Sequence, residues 1–95
     1  MISLTMKTPD VIQAELAERI RTRRKELHYS QAELARRSGV SLGSLKRFER
    51  THEISLASLV KLSFALGCNE DFDDLFARRR FVSIEEVIAD AEQSR

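Results

Sequence analysis

The chain has a single cysteine, Cys68, a single proline, Pro9, only three glycines and no tryptophan in 95 residues. One thiol excludes an intramolecular disulfide, so stability must come from a hydrophobic core, and a reducing cytoplasm is the expected setting. Scarcity of glycine and proline excludes collagen-like, low-complexity and turn-dense β chains. No apolar run approaches the roughly 18 residues needed to span a bilayer. The opening MISLTMKTPD also lacks the basic region and continuous apolar stretch of a signal peptide. At 95 residues there is one domain at most, with one modest core and no room for a large catalytic cleft.

Catalytic material is also short. His28 and His52 have no Cys, Asp or Glu at metal-ligand spacing, Cys68 has no evident base partner, and no glycine-rich phosphate loop exists. The acidic group Glu70, Asp71, Asp73 and Asp74 lacks the glycine and distal glutamate of a calcium loop, and reads as a solvated helix start. The expectation is no enzyme, no metal and no cofactor. What the chain has in quantity is apolar residues, 42%, and charged ones, 33%, which is the composition of an all-α globule.

Caps and periodicity place the helices. Thr8-Pro9 opens the first, over Asp10 to Leu27, where Val11, Ile12, Leu16, Ile20 and Leu27 recur at helical spacing. Ser30 and Glu33 form a capping box that starts a second helix near Gln31. Ser38-Gly39 stops it, and Ser41 caps a third. Leu34, Ala35, Val40, Leu45 and Phe48 are spaced to make one buried seam, with the intervening residues facing outward. Ser55 caps LASLVKLSFALG, so rich in apolar residues that it reads as the central buried helix, and Asn69 caps a fifth helix, NEDFDDLF. Ser83 and Glu86 make another capping box before a sixth, amphipathic helix, whose stripe is Ile84, Val87, Ile88 and Ala91. With Phe81, that stripe is either a packing appendage or a contact surface.

The net charge is +1, yet Arg19 to Arg50 holds ten basic residues against Glu26, Glu33 and Glu49, a local balance of +7 that leaves −6 elsewhere. A charge run alone reads as a solvated helix surface. Coinciding with two short helices joined by a tight glycine turn, it reads as a face for duplex phosphates. Tyr29, at the junction before the motif, is read as a packing residue and not a base stacker.

The stretch Tyr29 to Arg50, YSQAELARRSGVSLGSLKRFER, resembles the Cro and C1-type helix-turn-helix family, also called the XRE family, whose pattern is S-Q-x-E-L-A-x-x-x-G-V-S-x-x-x-[ILV]-x-x-[FLW]-E. Ser30, Gln31, Glu33, Leu34, Ala35, Gly39, Val40, Ser41, Leu45, Phe48 and Glu49 all fit. The resemblance implies a lambda-repressor-like five-helix DNA-binding domain over residues 9–76, with its motif at 31–50. A loose arm, 1–8, would precede it, and a C-terminal extension, 77–95, would end in the short amphipathic helix.

By the same resemblance, Ser41, Leu42, Gly43, Ser44 and Arg47 face base edges. Arg47 suits guanine O6 and N7, with a phosphate clamp as its alternative role, and Leu42 suits a thymine methyl. Leu42 and Gly43 depart from relatives that carry polar readers there, which shifts weight to Arg47 and to DNA shape. Gln31, Arg23, Arg37, Lys46 and Arg50 become backbone contacts, and Arg24 with Glu49 an orienting ion pair. Thr51 stands where many relatives carry glycine. The expected partners are double-stranded DNA and a second copy of the chain. The FDDLF-like segment and the tail after it also resemble small antitoxin regulators that accompany persistence-type serine kinase toxins. On that alternative, Phe81 to Ala91 would dock on the kinase or on a second copy.

Overall fold

The serine and threonine positions become helix caps. In the computed structural model, which describes residues 6–78, Thr8 Oγ1 accepts a hydrogen bond from the Val11 amide at 3.3 Å and opens α1, Pro9–Glu26. Ser30 Oγ accepts from the Glu33 amide at 3.0 Å at the start of α2, Gln31–Ser38. Ser41 does the same with Ser44 at 3.1 Å for α3, Leu42–Thr51, and Ser55 with Ser58 at 3.1 Å for α4, Leu56–Ala65. Each cap satisfies an amide that has no partner within its helix. The described residues contain no strand.

Gly39 closes α2 at φ 77°, donating its N–H to Ala35 O at 3.0 Å, so the chain reverses within a few residues and α3 begins at once. After α3 the left-handed residue is His52, at φ 68°, with its N–H on Phe48 O at 2.7 Å. Thr51 stays helical, its hydroxyl donating to Arg47 O at 2.8 Å, so the turn forms without the glycine many relatives use there. His28 at φ 60° serves the junction of α1 and α2 in the same way. Both histidines are therefore turn residues.

Leu34, Leu45, Phe48 and Leu62 are the largest fully buried side chains, joined by Ala17, Ile20, Ala35, Val40 and Leu66. Tyr29, Leu59, Ile54 and Cys68 pack around them. α2 lies against both α3 and α4, and α1 against α3. This seam holds α3 by Leu45 and Phe48 and leaves its opposite side to solvent.

Several expectations change. Asn69–Asp73 is a 3-10 helix and not a fifth α-helix, and Asn69 is not its cap: Cys68 occupies that position without a side-chain bond. Five residues with three acids offer too little local bonding to propagate an α-helix, and Phe76 then turns to φ 61°. On α1, Val11, Ile12 and Leu27 are exposed, and the buried stripe is Ala17, Ile20 and Arg24. From Leu16 onward α1 packs on the core, and Val11 and Ile12 lie before that stretch. α4 is not buried all round, since Leu56 is 68% exposed and Phe64 65%. Finally, the Glu33 carboxylate does not return to Ser30 but takes Arg36 and Arg37, both within a helical turn or so. The sixth helix, with Phe81, Ile84, Val87, Ile88 and Ala91, lies outside the described residues.

Candidate nucleic-acid interface

α3 divides along its length. Leu45 and Phe48 point into the core, whereas Gly43, Lys46, Arg47 and Arg50, spaced i, i+3, i+4 and i+7, share the outer side and are exposed. Leu42 begins the helix beside them, 37% exposed, and Ser41 and Ser44 are occupied with each other, Oγ to Oγ at 2.9 Å. A methyl group added at Gly43 would meet nothing within 4 Å, so the fold itself does not require glycine there. The result is a flat, basic, solvent-facing helix edge held from behind by apolar packing.

Its orientation is set by charge. Arg24, in α1 and buried, donates from Nε to Glu49 Oε2 at 2.9 Å and from Nη2 to Oε1 at 3.0 Å, a bidentate pair. Its Nη1 donates to Tyr29 O at 2.8 Å. Gln31 Nε2 also donates to Glu49 Oε1, at 3.1 Å, and Arg21 Nε stands 3.9 Å away. One carboxylate thus ties α1, the junction before α2, the first residue of α2 and the end of α3 together.

The backbone-contact candidates divide accordingly. Lys46 and Arg50 are exposed and in no ion pair among the described residues. Arg37 lies 4.5 Å over the Tyr29 ring and donates to Glu33 Oε1 at 2.8 Å, so part of its charge is offset within α2. Arg23 Nε donates to Leu66 O at 3.3 Å, closing the C-terminal end of α4. Gln31 spends a side-chain N–H on Glu49, which leaves its other amide hydrogen and the free backbone amides of the α2 start for a phosphate. Arg36 first, then Arg37, holds the Glu33 carboxyl below its ordinary pKa. Burial raises the Cys68 thiol above its usual value, against a smaller opposing effect of Arg23, so that thiol is not poised as a nucleophile.

A reading helix carried on a glycine turn, buttressed by a second helix and edged with cations, is a duplex-binding arrangement. A family model described as helix-turn-helix matches residues 20–72, more than half of the chain. The chain belongs to the helix-turn-helix family. The match is of the Cro/C1 type and covers every described helix at least in part, so this is a DNA-binding transcription regulator of the XRE kind. No curated protein and no solved structure matches the chain. No helix among the described residues is long and apolar enough to cross a membrane.

Sequence reasoning missed Glu53. Its carboxylate Oε2 lies 3.6 Å from Arg47 Nη2, across the turn that follows α3. A charge pair six residues apart, straddling a helix end, has no periodic signature, and only the left-handed turn at His52 brings the two together.

Proposed function

We propose that this regulator is a repressor that reads a short inverted repeat as a homodimer, with α3 in the major groove. The carrying observation is the division of α3: Leu45 and Phe48 are sealed inside, while Leu42, Gly43 and Arg47 stand on the accessible side. Arg47 is the base reader, its guanidinium suited to guanine O6 and N7, and Leu42 supplies apolar contact to a thymine methyl. Lys46 and Arg50 neutralise phosphates to either side, and the α2 start at Gln31 fixes the register. A single domain of this size covers little DNA, so two copies on half-sites about 34 Å apart supply the useful specificity. Footprinting on genomic fragments tests this reading. Protection of no palindrome, with equal affinity for random duplex, would reject it.

Arg47→Ala is expected to weaken binding by about 1 to 3 kcal/mol and to relax preference at one base position. Lys46→Ala should weaken binding to every duplex alike and lower the logarithmic salt slope by about 0.9. Affinity measured against salt on matched and mismatched duplexes separates the two. Identical behaviour would break the division of roles.

Gly43 allows a sharper test. Because nothing in the fold occupies the space beside it, Gly43→Ala should leave the domain as stable or up to about 1 kcal/mol more stable. The added methyl points from the reading side, so operator affinity should fall while the melting temperature does not.

A second reading adds a protein partner. A serine kinase toxin as that partner, with autoregulation of a shared operon, draws on the sequence resemblance. Isolation of the kinase together with this chain would establish it, and a homodimer free of other protein would leave the plain repressor.

A further inference from the structure

Arg47 does not stand alone on the reading side. Its neighbours along that edge, Gly43, Lys46 and Arg50, carry no negative charge, but the loop leading into α4 brings Glu53 to 3.6 Å from its Nη2. The two side chains, 64% and 66% exposed, border a shallow hollow with Ser44, Ile54, Ser55 and Ser58 between α3 and the start of α4. An ion pair this exposed adds little to folding stability. Its consequence lies in what Arg47 can do outside the protein.

We propose that Glu53 is a specificity-determining residue that positions Arg47, an inference that rests on the DNA-reading role of α3 given above. Two physical effects act in the same direction. Glu53 stands 3.6 Å from one end nitrogen of the guanidinium, an ion-pair distance and not a hydrogen bond, while Nε and Nη1 have no partner among the described residues; the attraction biases Arg47 toward Glu53 and leaves donors for a base edge. Its negative charge also travels with Arg47 toward the duplex. When Arg47 clamps a phosphate, Glu53 is drawn against the same polyanion and the contact is penalised. When Arg47 points at guanine acceptors in the groove, the carboxylate retains a guanidinium partner. Glu53 therefore lowers affinity for duplex in general and raises discrimination, a repulsive element that works against the wrong sites.

The test compares base-preference profiles, selected from a randomised duplex library, for the full chain, Glu53→Gln, Arg47→Ala and the double variant. Affinity of each for random duplex is measured alongside. Glu53→Gln removes one negative charge beside the phosphates and should bind random duplex about three- to fivefold more tightly at 0.1 M salt. Its preference for guanine at the Arg47 position should flatten by about threefold or more. In the Arg47→Ala background, Glu53→Gln should leave the profile as it is, because the residue acts through Arg47. Glu53→Asp keeps the charge and should hold random-duplex affinity at the parent value. A structured parent profile that Glu53→Gln leaves unchanged overturns this inference alone, as does an equal change with and without Arg47. A parent profile with no base preference overturns it together with the operator reading.

Discussion

Glu49→Ala is expected to destabilise the domain by about 3 to 5 kcal/mol. The Glu49 carboxylate, 8% exposed, accepts two of the three guanidinium bonds of Arg24 and one bond from Gln31, and Arg24 is itself buried. Removing the carboxylate leaves a buried cation with Tyr29 O as its remaining partner among these bonds, and Arg24 has no second salt bridge among the described residues. Domains of this size hold about 5 to 15 kcal/mol in total, so the variant should lose a large share of its stability and melt well below the parent. Urea denaturation measures the loss. The exposed Arg36 with Glu33 is the internal contrast: its removal should leave the urea midpoint almost unchanged. Replacing Arg24 with methionine and Glu49 with leucine together should recover most of the stability, since the large cost comes from stranding one charge and not from losing the pair. A loss below about 1 kcal/mol for Glu49→Ala alone would mean that water reaches the guanidinium.

Phe48→Ala should cost about 3 to 5 kcal/mol as well, for a different reason. Phe48 is 1% exposed and sits among Leu34, Leu45 and Leu62, all fully buried, so truncation opens a void that a small core cannot close. It neighbours Arg47 in the chain, yet the two variants should part completely. Phe48→Ala lowers the thermal midpoint and weakens binding to all DNA through the fraction of folded protein. Arg47→Ala leaves the midpoint within about 0.5 kcal/mol of the parent, as expected for a surface position, and acts on base preference. Equal loss of thermal stability in both would show that Arg47 also supports the fold.

Much of this architecture is legible in the chain before folding. Ser30, Ser41 and Ser55 each precede a helix and each bonds the amide three residues on, because a short hydroxyl side chain reaches just that far. Gly39 marks the turn because a left-handed residue ends a helix most cheaply as glycine. The seam through Leu34, Ala35, Val40, Leu45 and Phe48 follows from helical spacing, and every one of these residues is buried. The reading side of α3 is then the remainder of its circumference.

Other features were not legible, and the reasons are physical. The apolar residues of α4 suggest burial on all sides, but Leu56 and Phe64 reach solvent because hydrophobicity states what a side chain would prefer, not whether a neighbour arrives. Val11 and Ile12 keep helical spacing but lie before the stretch of α1 that packs on the core. The sequence suggested Glu33 as a return cap, and it instead binds Arg36 and Arg37, which compete for it with full charges.

The order of serines, glycine and apolar steps by itself determined where helices begin and stop, which residues of α2 and α3 face inward, and the concentration of positive charge around them. These are local matters, decided by bonds and periods spanning a few residues. Only the tertiary structure decided that Gln31 joins Arg24 on Glu49, that Arg23 closes α4, and that Glu53 meets Arg47. Such meetings depend on the angles between helices and on a single left-handed turn at His52, and periodicity within one helix carries no information about the direction from which its neighbour comes.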